Sequence, residues 1–297
     1  MGASRPHSPV PSPALLERLG FAATDLATRD KIPVVRALLS PDGEGLALDI
    51  GIGTGYTTHG VFGNRPTVCV DLDPDNLRAF RAHAEAVRGL DPPMCVVAEA
   101  TALPFRRETF RFVLSSEVLE HLEDDGGAAA EIARVLHPGG RAAITVPYTG
   151  IGFAGFLELL GVKTVHDFPG PERHVRPGYD ERALGDLFRP HGLGVIGRAF
   201  YFRFFTRAAA DLVSLLHLTY QRLVHRRRAW TWSDAAAAEG GAAFAVYRRL
   251  FPVLRAFGAL DRLLASCRGF GLVALIARDE VTEPAERPRA AAAERMA

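Results

Sequence analysis

Ten residues, Leu46-Ala47-Leu48-Asp49-Ile50-Gly51-Ile52-Gly53-Thr54-Gly55, restrict what this chain can fold into more than any other stretch. An apolar run of strand length ends in a carboxylate and passes directly into three glycines spaced by two. Glycine serves where the backbone turns with φ > 0 or approaches a ligand too closely for a Cβ. A strand that stops this way before helix-forming sequence reads as the first βα turn of a doubly wound sheet. Such sheets bind ligands outside the carboxyl ends of their strands, so a small-molecule site is expected here.

A dinucleotide is the first candidate, and the spacing argues against it. Its fingerprint, G-x-G-x-x-G/A, needs a third small residue where helix packs on strand. Counting from Gly51 that position is Tyr56, and from Gly53 it is Thr58. A pyrophosphate also favours a cradle without acids at the helix N-terminus, and Asp49 stands just before the loop. A ligand carrying an amino group as well as a carboxylate tolerates Asp49 and has a use for it.

The pattern Asp49-x-Gly51-x-Gly53-x-Gly55 resembles motif I of the class I methyltransferases that use S-adenosylmethionine, and the following segments extend the likeness. Thr67-Val68-Cys69-Val70-Asp71 is a second short apolar strand ending in an acid, suited to the two ribose hydroxyls. Met94–Val97 leads into Ala98-Glu99-Ala100-Thr101-Ala102-Leu103-Pro104-Phe105, similar to the family's G-D-A-x-x-L-P-F segment with Glu99 in place of Asp. Phe110-Arg111-Phe112-Val113 resembles the fourth strand, with Arg111 replacing its usual acid. Leu136–Arg141 and Ala142–Pro147 resemble the turn and the fifth strand. The likeness is densest over 46–147, weaker over 174–200 and 270–278, and is to the quinone-biosynthesis-like, type 11 group. It implies that Asp49, Gly51, Gly53 and Gly55 hold the methionine part of S-adenosylmethionine and Asp71 the ribose. Leu72 would flank the adenine, Glu99 and Ala100 would contact it, and Ser116 would also line the cofactor.

The implied fold is Rossmann-like α/β: a doubly wound, seven-stranded, mostly parallel sheet with helices on both faces and an α-helical insertion between the last two strands. At 297 residues, 48% hydrophobic and 23% charged, the chain has enough apolar surface for such a core. A net charge of +1 gives no global field to recruit nucleic acid. Cys69, Cys95 and Cys267 form no C-x-x-C pair and read as small core residues in a reducing cytoplasm. Residues 1–13 are expected to be a disordered leader without an apolar signal region, and 280–297 a disordered tail. The methyltransferase domain is expected over 14–202 plus 268–279. Ala14–Leu39 reads as one or two helices lying over the cofactor, and Tyr148–Val175 as a wall of the acceptor side.

The closing strands, Gly194–Phe202 and Gly271–Arg278, are separated by roughly 68 residues, far beyond a normal loop. Within the insertion, 203–267, Leu212, Leu215, Leu216, Thr219, Tyr220 and Leu223 keep helical spacing. Phe244, Tyr247, Leu250, Phe251, Leu254, Phe257, Leu260 and Leu264 repeat it, with Pro252 as a kink. Ten arginines against four acids between Arg203 and Arg262 make the segment basic, and His225-Arg226-Arg227-Arg228 precedes Trp230 and Trp232. The simpler expectation is a helical cap whose apolar faces pack on the sheet or on a second subunit of a homodimer. Peripheral contact with an anionic membrane through 203–262 is the alternative.

Methyl transfer asks the protein mainly to align donor and acceptor and to exclude water. A hydroxyl acceptor also needs its proton removed by a base or a metal. Glu117-Val118-Leu119-Glu120-His121 follows the fourth strand, where the methyl group is expected, which makes Glu120, His121 and the later His174 the candidate catalytic residues. The E-x-x-E-H spacing also resembles metal-assisted O-methyltransferases, which implies Glu117, Glu120 and His121 as ligands of Mg²⁺, with His174 or His166 as a fourth. The reading is a methyltransferase acting on a bulky apolar or lipid-linked small molecule, O-methylation ahead of C-methylation. The alternatives are a metal-assisted O-methyltransferase, a non-catalytic membrane-associated subunit that keeps the fold, and a nucleotide reductase.

Overall fold

The computed structural model describes residues 25–53, 55–86, 92–150, 174–220 and 242–278. The chain enters through helix α1 (Leu26–Leu39), whose start is capped by the Asp25 carboxylate accepting the Thr28 N–H at 2.8 Å. It then alternates β1 (Ala47–Ile50), α2 (Tyr56–Phe62), β2 (Thr67–Asp71), α3 (Pro74–Ala86), β3 (Met94–Val97) and β4 (Phe110–Ser116). After a 3-10 turn (Leu119–His121) come α4 (Asp125–Val135), β5 (Leu136–Pro147), α5 (Glu181–Phe188) and β6 (Leu193–Tyr201). The insertion follows as α6 (Phe204–Tyr220), α7 (Ala242–Gly258) and a 3-10 turn (Ala259–Leu264), before β7 (Gly271–Arg278).

The seven strands lie in the order β3-β2-β1-β4-β5-β7-β6. All pairings are parallel except the two made by β7, which runs antiparallel between β5 and β6. Strand order therefore reverses between β1 and β4, and the carboxyl ends of those strands open the crevice where such sheets bind ligands. The central strands are covered on both faces. Leu48, Ile50, Val113 and Ile144 pack toward α4 and α5, whereas Ala47, Phe112, Leu114 and Ala143 pack toward α1 and α2. Each fully buried Leu, Ile or Phe contributes roughly 1.5–3 kcal/mol, so the sheet centre is the rigid frame for the loops at its carboxyl edge.

The expected strand boundaries coincide with the observed ones to within a residue or two at β1, β2, β3, β6 and β7. The expected helix over Ala14–Leu39 is described only from Leu26 onward; Leu15, Leu16, Leu19 and Phe21 lie outside the described residues, as do residues 1–13, 280–297 and the segment Arg226–Trp232. Among the described residues, no helix is long and apolar enough to cross a membrane.

The insertion is held to the domain by polar contacts and one small apolar seam. The buried Asp261 carboxylate accepts the Phe205 and Thr206 N–H groups (2.8 and 3.0 Å), capping α6 from beyond the end of α7. Asp30 on α1 accepts the Phe202 N–H at 2.5 Å. Buried Arg207 stacks on the Phe202 and Phe270 rings and pairs with Asp211. Leu26, Ala209 and Phe251 form the small apolar seam between α1, α6 and α7. Leu212, Leu215 and Leu216 on α6 are exposed in the single chain and do not pack on the sheet. Helical spacing identifies an apolar face but not what it meets, and here the close approach of α6 is made through Thr206 and Ala209.

Candidate functional site

The glycine loop leaves β1 with Gly51, Gly53 and Gly55 all at positive φ (+71°, +52° and +71°). A Cβ on Gly55 would run into the Phe80 ring, so packing of α3 demands glycine there. Gly53 is different: nothing lies within 4 Å of where its Cβ would point. Its open side faces free space of the kind a ligand fills. The Gly53 N–H donates to Asp71 Oδ2 at 3.0 Å, which ties the loop to the end of β2. Asp71 Oδ1 accepts from the Asp73 N–H (2.9 Å) and Asn76 Nδ2 (3.2 Å), so the carboxylate is aimed and held by its own chain.

Beneath the loop, Asp49 is almost fully buried. Its Oδ2 accepts the Thr58 hydroxyl at 2.5 Å, and its Oδ1 has no hydrogen-bond partner among the described residues. Burial pushes this carboxyl up to about 7, against the opposing pull of the Thr58 hydroxyl and the Lys31 charge. A buried acceptor left unmatched costs about 1–3 kcal/mol. An orphaned carboxylate oxygen beside an open glycine cradle fits a ligand that brings a cationic amine, and S-adenosylmethionine carries one on its methionine part.

The second part of the site follows β4. Glu117 takes a left-handed conformation (φ +56°), which is uncommon for a non-glycine residue and concentrates at functional positions. Its Oε1 accepts the Thr145 hydroxyl at 2.8 Å and the Tyr201 hydroxyl, and lies 3.9 Å from Lys31 Nζ. Glu120, three residues on, is completely buried and neither of its carboxylate oxygens has a hydrogen-bond partner among the described residues. Burial, then the neighbouring Glu117 charge, pushes Glu120 up to about 9, so it carries its proton at neutral pH. The backbone of the returning segment 174–176 is pinned here, because the Val175 and Arg176 N–H groups donate to the Glu120 carbonyl (2.8 and 3.3 Å). This places the His174 ring edge-on against His121, centroids 4.7 Å apart. One ligand atom each from Glu120, His121 and His174 lies within 4.8 Å of the others.

Glu120, His121 and His174 are thus brought together at the end of β4, while Glu117 turns to Thr145, Tyr201 and Lys31. The fourfold set of Glu117, Glu120, His121 and His174 does not form as one cluster, and His166 lies outside the described residues. Leu72 projects from the end of β2 at 67% exposure, as a residue flanking a ring would. Glu99 is exposed, its Oε2 3.4 Å from the Thr101 hydroxyl; Ala100 is half-buried next to it. Ser116 shares a 3.1 Å hydrogen bond with Thr145, the residue that also donates to Glu117.

Lys31, Thr58 and Tyr201 are the site residues that sequence reasoning missed. Lys31 has a visible signal: it falls at the head of the buried stripe Lys31, Val35 and Leu39, a lysine where an apolar residue is the default. Tyr201 has none, because its partner Glu117 is remote in sequence and meets it only once β6 is laid at the sheet edge.

Residues 48–144 match the family model described as "Methyltransferase domain". A malonyl-[acyl-carrier protein] O-methyltransferase of Halorhodospira halophila is 34% identical over 126 residues, covering 41% of this chain and 37% of that protein. The C-methyltransferase UbiE of ubiquinone and menaquinone biosynthesis from Desulfotalea psychrophila is 28% identical over 166 residues, covering 50% and 66%. The chain spans about two fifths of the length of the first curated relatives it matches (37%, 39% and 44%). Among solved structures, a methyltransferase bound to the Trm112 activator of Haloferax volcanii has a TM-score of 0.52 at 17% identity. That alignment covers 93% of this chain and 99% of that one, a likeness of fold.

Proposed function

From the premise that the chain carries a class I, S-adenosylmethionine-dependent methyltransferase domain, we propose that it transfers a methyl group to an oxygen of a bulky apolar or lipid-linked small molecule. When bound, S-adenosylmethionine supplies an activated methyl on a sulfonium, so the protein's task is placement and proton handling. Asp49 receives the ligand's amine, the Gly51–Gly55 loop lies against its methionine part, Asp71 takes the ribose hydroxyls, and Leu72, Glu99 and Ala100 border the adenine.

The observation that carries the reading is the group at the end of β4, where buried Glu120 meets the half-buried His121 and His174. Glu120 holds its proton at neutral pH. His121 Nδ1 is buried without a hydrogen-bond partner among the described residues, and it is the atom assigned to take the acceptor's proton. Relatives named as O-methyltransferases support oxygen as the atom methylated. The test is transfer of labelled methyl groups from S-adenosylmethionine to extracts of lipids, quinone-like compounds and polyketides. Product that migrates as an alkali-labile ester or an ether supports the reading, and label found only on carbon refutes the choice of oxygen.

A second reading has one observation in its favour. The ligand atoms of Glu120, His121 and His174 are close enough to share one ion, and an ion would satisfy both orphaned Glu120 oxygens. Two imidazoles with one carboxylate suit a divalent transition ion at least as well as Mg²⁺. Loss of transfer in EDTA, restored by one divalent ion, selects this reading, and indifference to chelator removes it.

A further inference from the structure

Helix α7 carries two apolar stripes, and among the described residues the domain packs against one of them. Tyr247, Phe251 and Leu254 turn toward Leu26 and Ala209 in the seam with α1 and α6. Val246, Leu250, Val253 and Phe257 step by four, three and four residues and so share a second face, with Leu260 following in the 3-10 turn. These five residues are 40–66% exposed. Leu212, Leu215 and Leu216 on α6 are exposed as well, and at one end the faces are linked, since Phe257 stacks on Phe205 and Phe205 on Phe204. Large apolar side chains in register along a helix pair mark a surface that meets something.

The charges decide what it meets. Arg248, Arg249, Arg255 and Arg262 are exposed on the same segment, Arg249 beside the stripe, Arg248 and Arg255 on the other side of the helix, and Arg262 in the 3-10 turn beyond it. The one acid between residues 242 and 264 is Asp261, which is buried and spent on capping α6. A second copy docked on this segment would bring like net charge against like, which disfavours self-association. The surface complements an apolar phase bordered by anions. A cavity of about 650 Å³ between α1, β6 and the end of α7 has the same mix of apolar walls and arginines. Arg203, Arg255 and Arg262 line it, its walls include Leu26, Val34 and Phe200, and its two carboxylates, Asp30 and Asp261, accept backbone N–H groups.

We propose that the α6–α7 pair docks on an anionic lipid bilayer, with the second α7 stripe in the acyl boundary, Arg249 at the phosphate level and the segment's net positive charge drawing it to the surface. Each arginine brought to an anionic surface strengthens partitioning roughly fivefold, and apolar insertion supplies the remainder. Docking is independent of the methyl-transfer reading and places an enzyme for an apolar acceptor where such molecules dissolve.

The test is flotation of the full chain with vesicles of phosphatidylcholine alone or with 30% phosphatidylglycerol, at about 0.1 M salt where surface charge still acts. Expected is binding to the anionic vesicles at least tenfold above the neutral ones. The variants Leu250→Glu with Phe257→Glu, and Arg248→Glu with Arg249→Glu, should each lose it at least tenfold. S-adenosylmethionine binding and circular dichroism of the same samples report that the variants are folded. Equal binding to neutral vesicles, no flotation, or variants that float like wild type overturns the proposal. So does a dimer in light scattering that Leu250→Glu dissolves, since that makes a second copy the occupant.

Discussion

Replacing Asp49 by Asn separates what the buried carboxylate costs the fold from what it gives the ligand. Burial raises the group from 3.8 to about 7. At pH 8 the native state therefore carries an ionisation penalty of about three pH units, or ~4 kcal/mol at ~1.4 kcal/mol per unit. The sign follows from linkage: an acid with a raised native pKa costs stability as pH climbs from its unfolded to its folded value, and the loss is complete above it. Asn keeps the shape and can still accept the Thr58 hydroxyl, but its amide becomes a buried donor in the place of the orphaned oxygen, costing about 1–3 kcal/mol. The balance at pH 8 is a gain of about 1–3 kcal/mol, or a rise in Tm of ~2–4 °C per kcal/mol. At pH 5 the wild-type carboxyl is protonated and the gain vanishes or reverses. Affinity for S-adenosylmethionine should fall by about 10–100-fold, the worth of a charge-assisted hydrogen bond. Thermal unfolding at both pH values, with calorimetry of the ligand, reads both effects. If the Asp49→Asn variant gains no more stability over wild type at pH 8 than at pH 5, and its ligand affinity is unchanged, Asp49 is neither a buried ionisable burden nor the amine's partner.

Glu120→Gln should flatten the fall in stability between pH 6 and 8.5. Glu120 is raised from 4.5 to about 9, so wild type loses up to about 3 kcal/mol over that span and the variant loses less, as urea titrations at the two pH values would show. Tyr201→Phe should cost about 1–3 kcal/mol, because it takes the hydroxyl donor from the Glu117 carboxylate; urea titrations that show no loss would count against that bond. Arg207→Ala should cost about 3–5 kcal/mol, because it strips the buried Asp211 of its ion pair and the Phe202 and Phe270 rings of their cation. Arg207→Lys should recover only part of that in the same urea titrations, since an ammonium cannot stack as a guanidinium does.

The strands at the ligand edge were legible because each ends in a chemical mark. β1 ends in Asp49 and glycine, β2 in Asp71, and β7 is an unbroken apolar run. Strand period and glycine placement are local properties, and local properties survive folding. What was not legible is set by contacts remote in sequence. Glu117 sits within an E-x-x-E-H spacing that suggests a ligand set, yet Tyr201 and Thr145 take its carboxylate, and neither has a sequence mark pointing to residue 117. The insertion shows the limit from the other side. Two apolar stripes one residue out of phase on α7 have nearly the same helical signature, and only the position of Leu26 and Ala209 selects Phe251 as the buried one. His174 is intermediate: spacing does not separate it from His166, and the backbone bonds from Val175 and Arg176 to Glu120 draw it into the cluster.

The proposed function depends on the glycine loop, with Asp49 and Asp71, holding S-adenosylmethionine and not a dinucleotide. Titration calorimetry of the purified chain with S-adenosylmethionine and, separately, with NADH tests this in one experiment. Expected is one-to-one binding of S-adenosylmethionine, competed by S-adenosylhomocysteine, with no heat from NADH. Binding of NADH with no response to S-adenosylmethionine would contradict it.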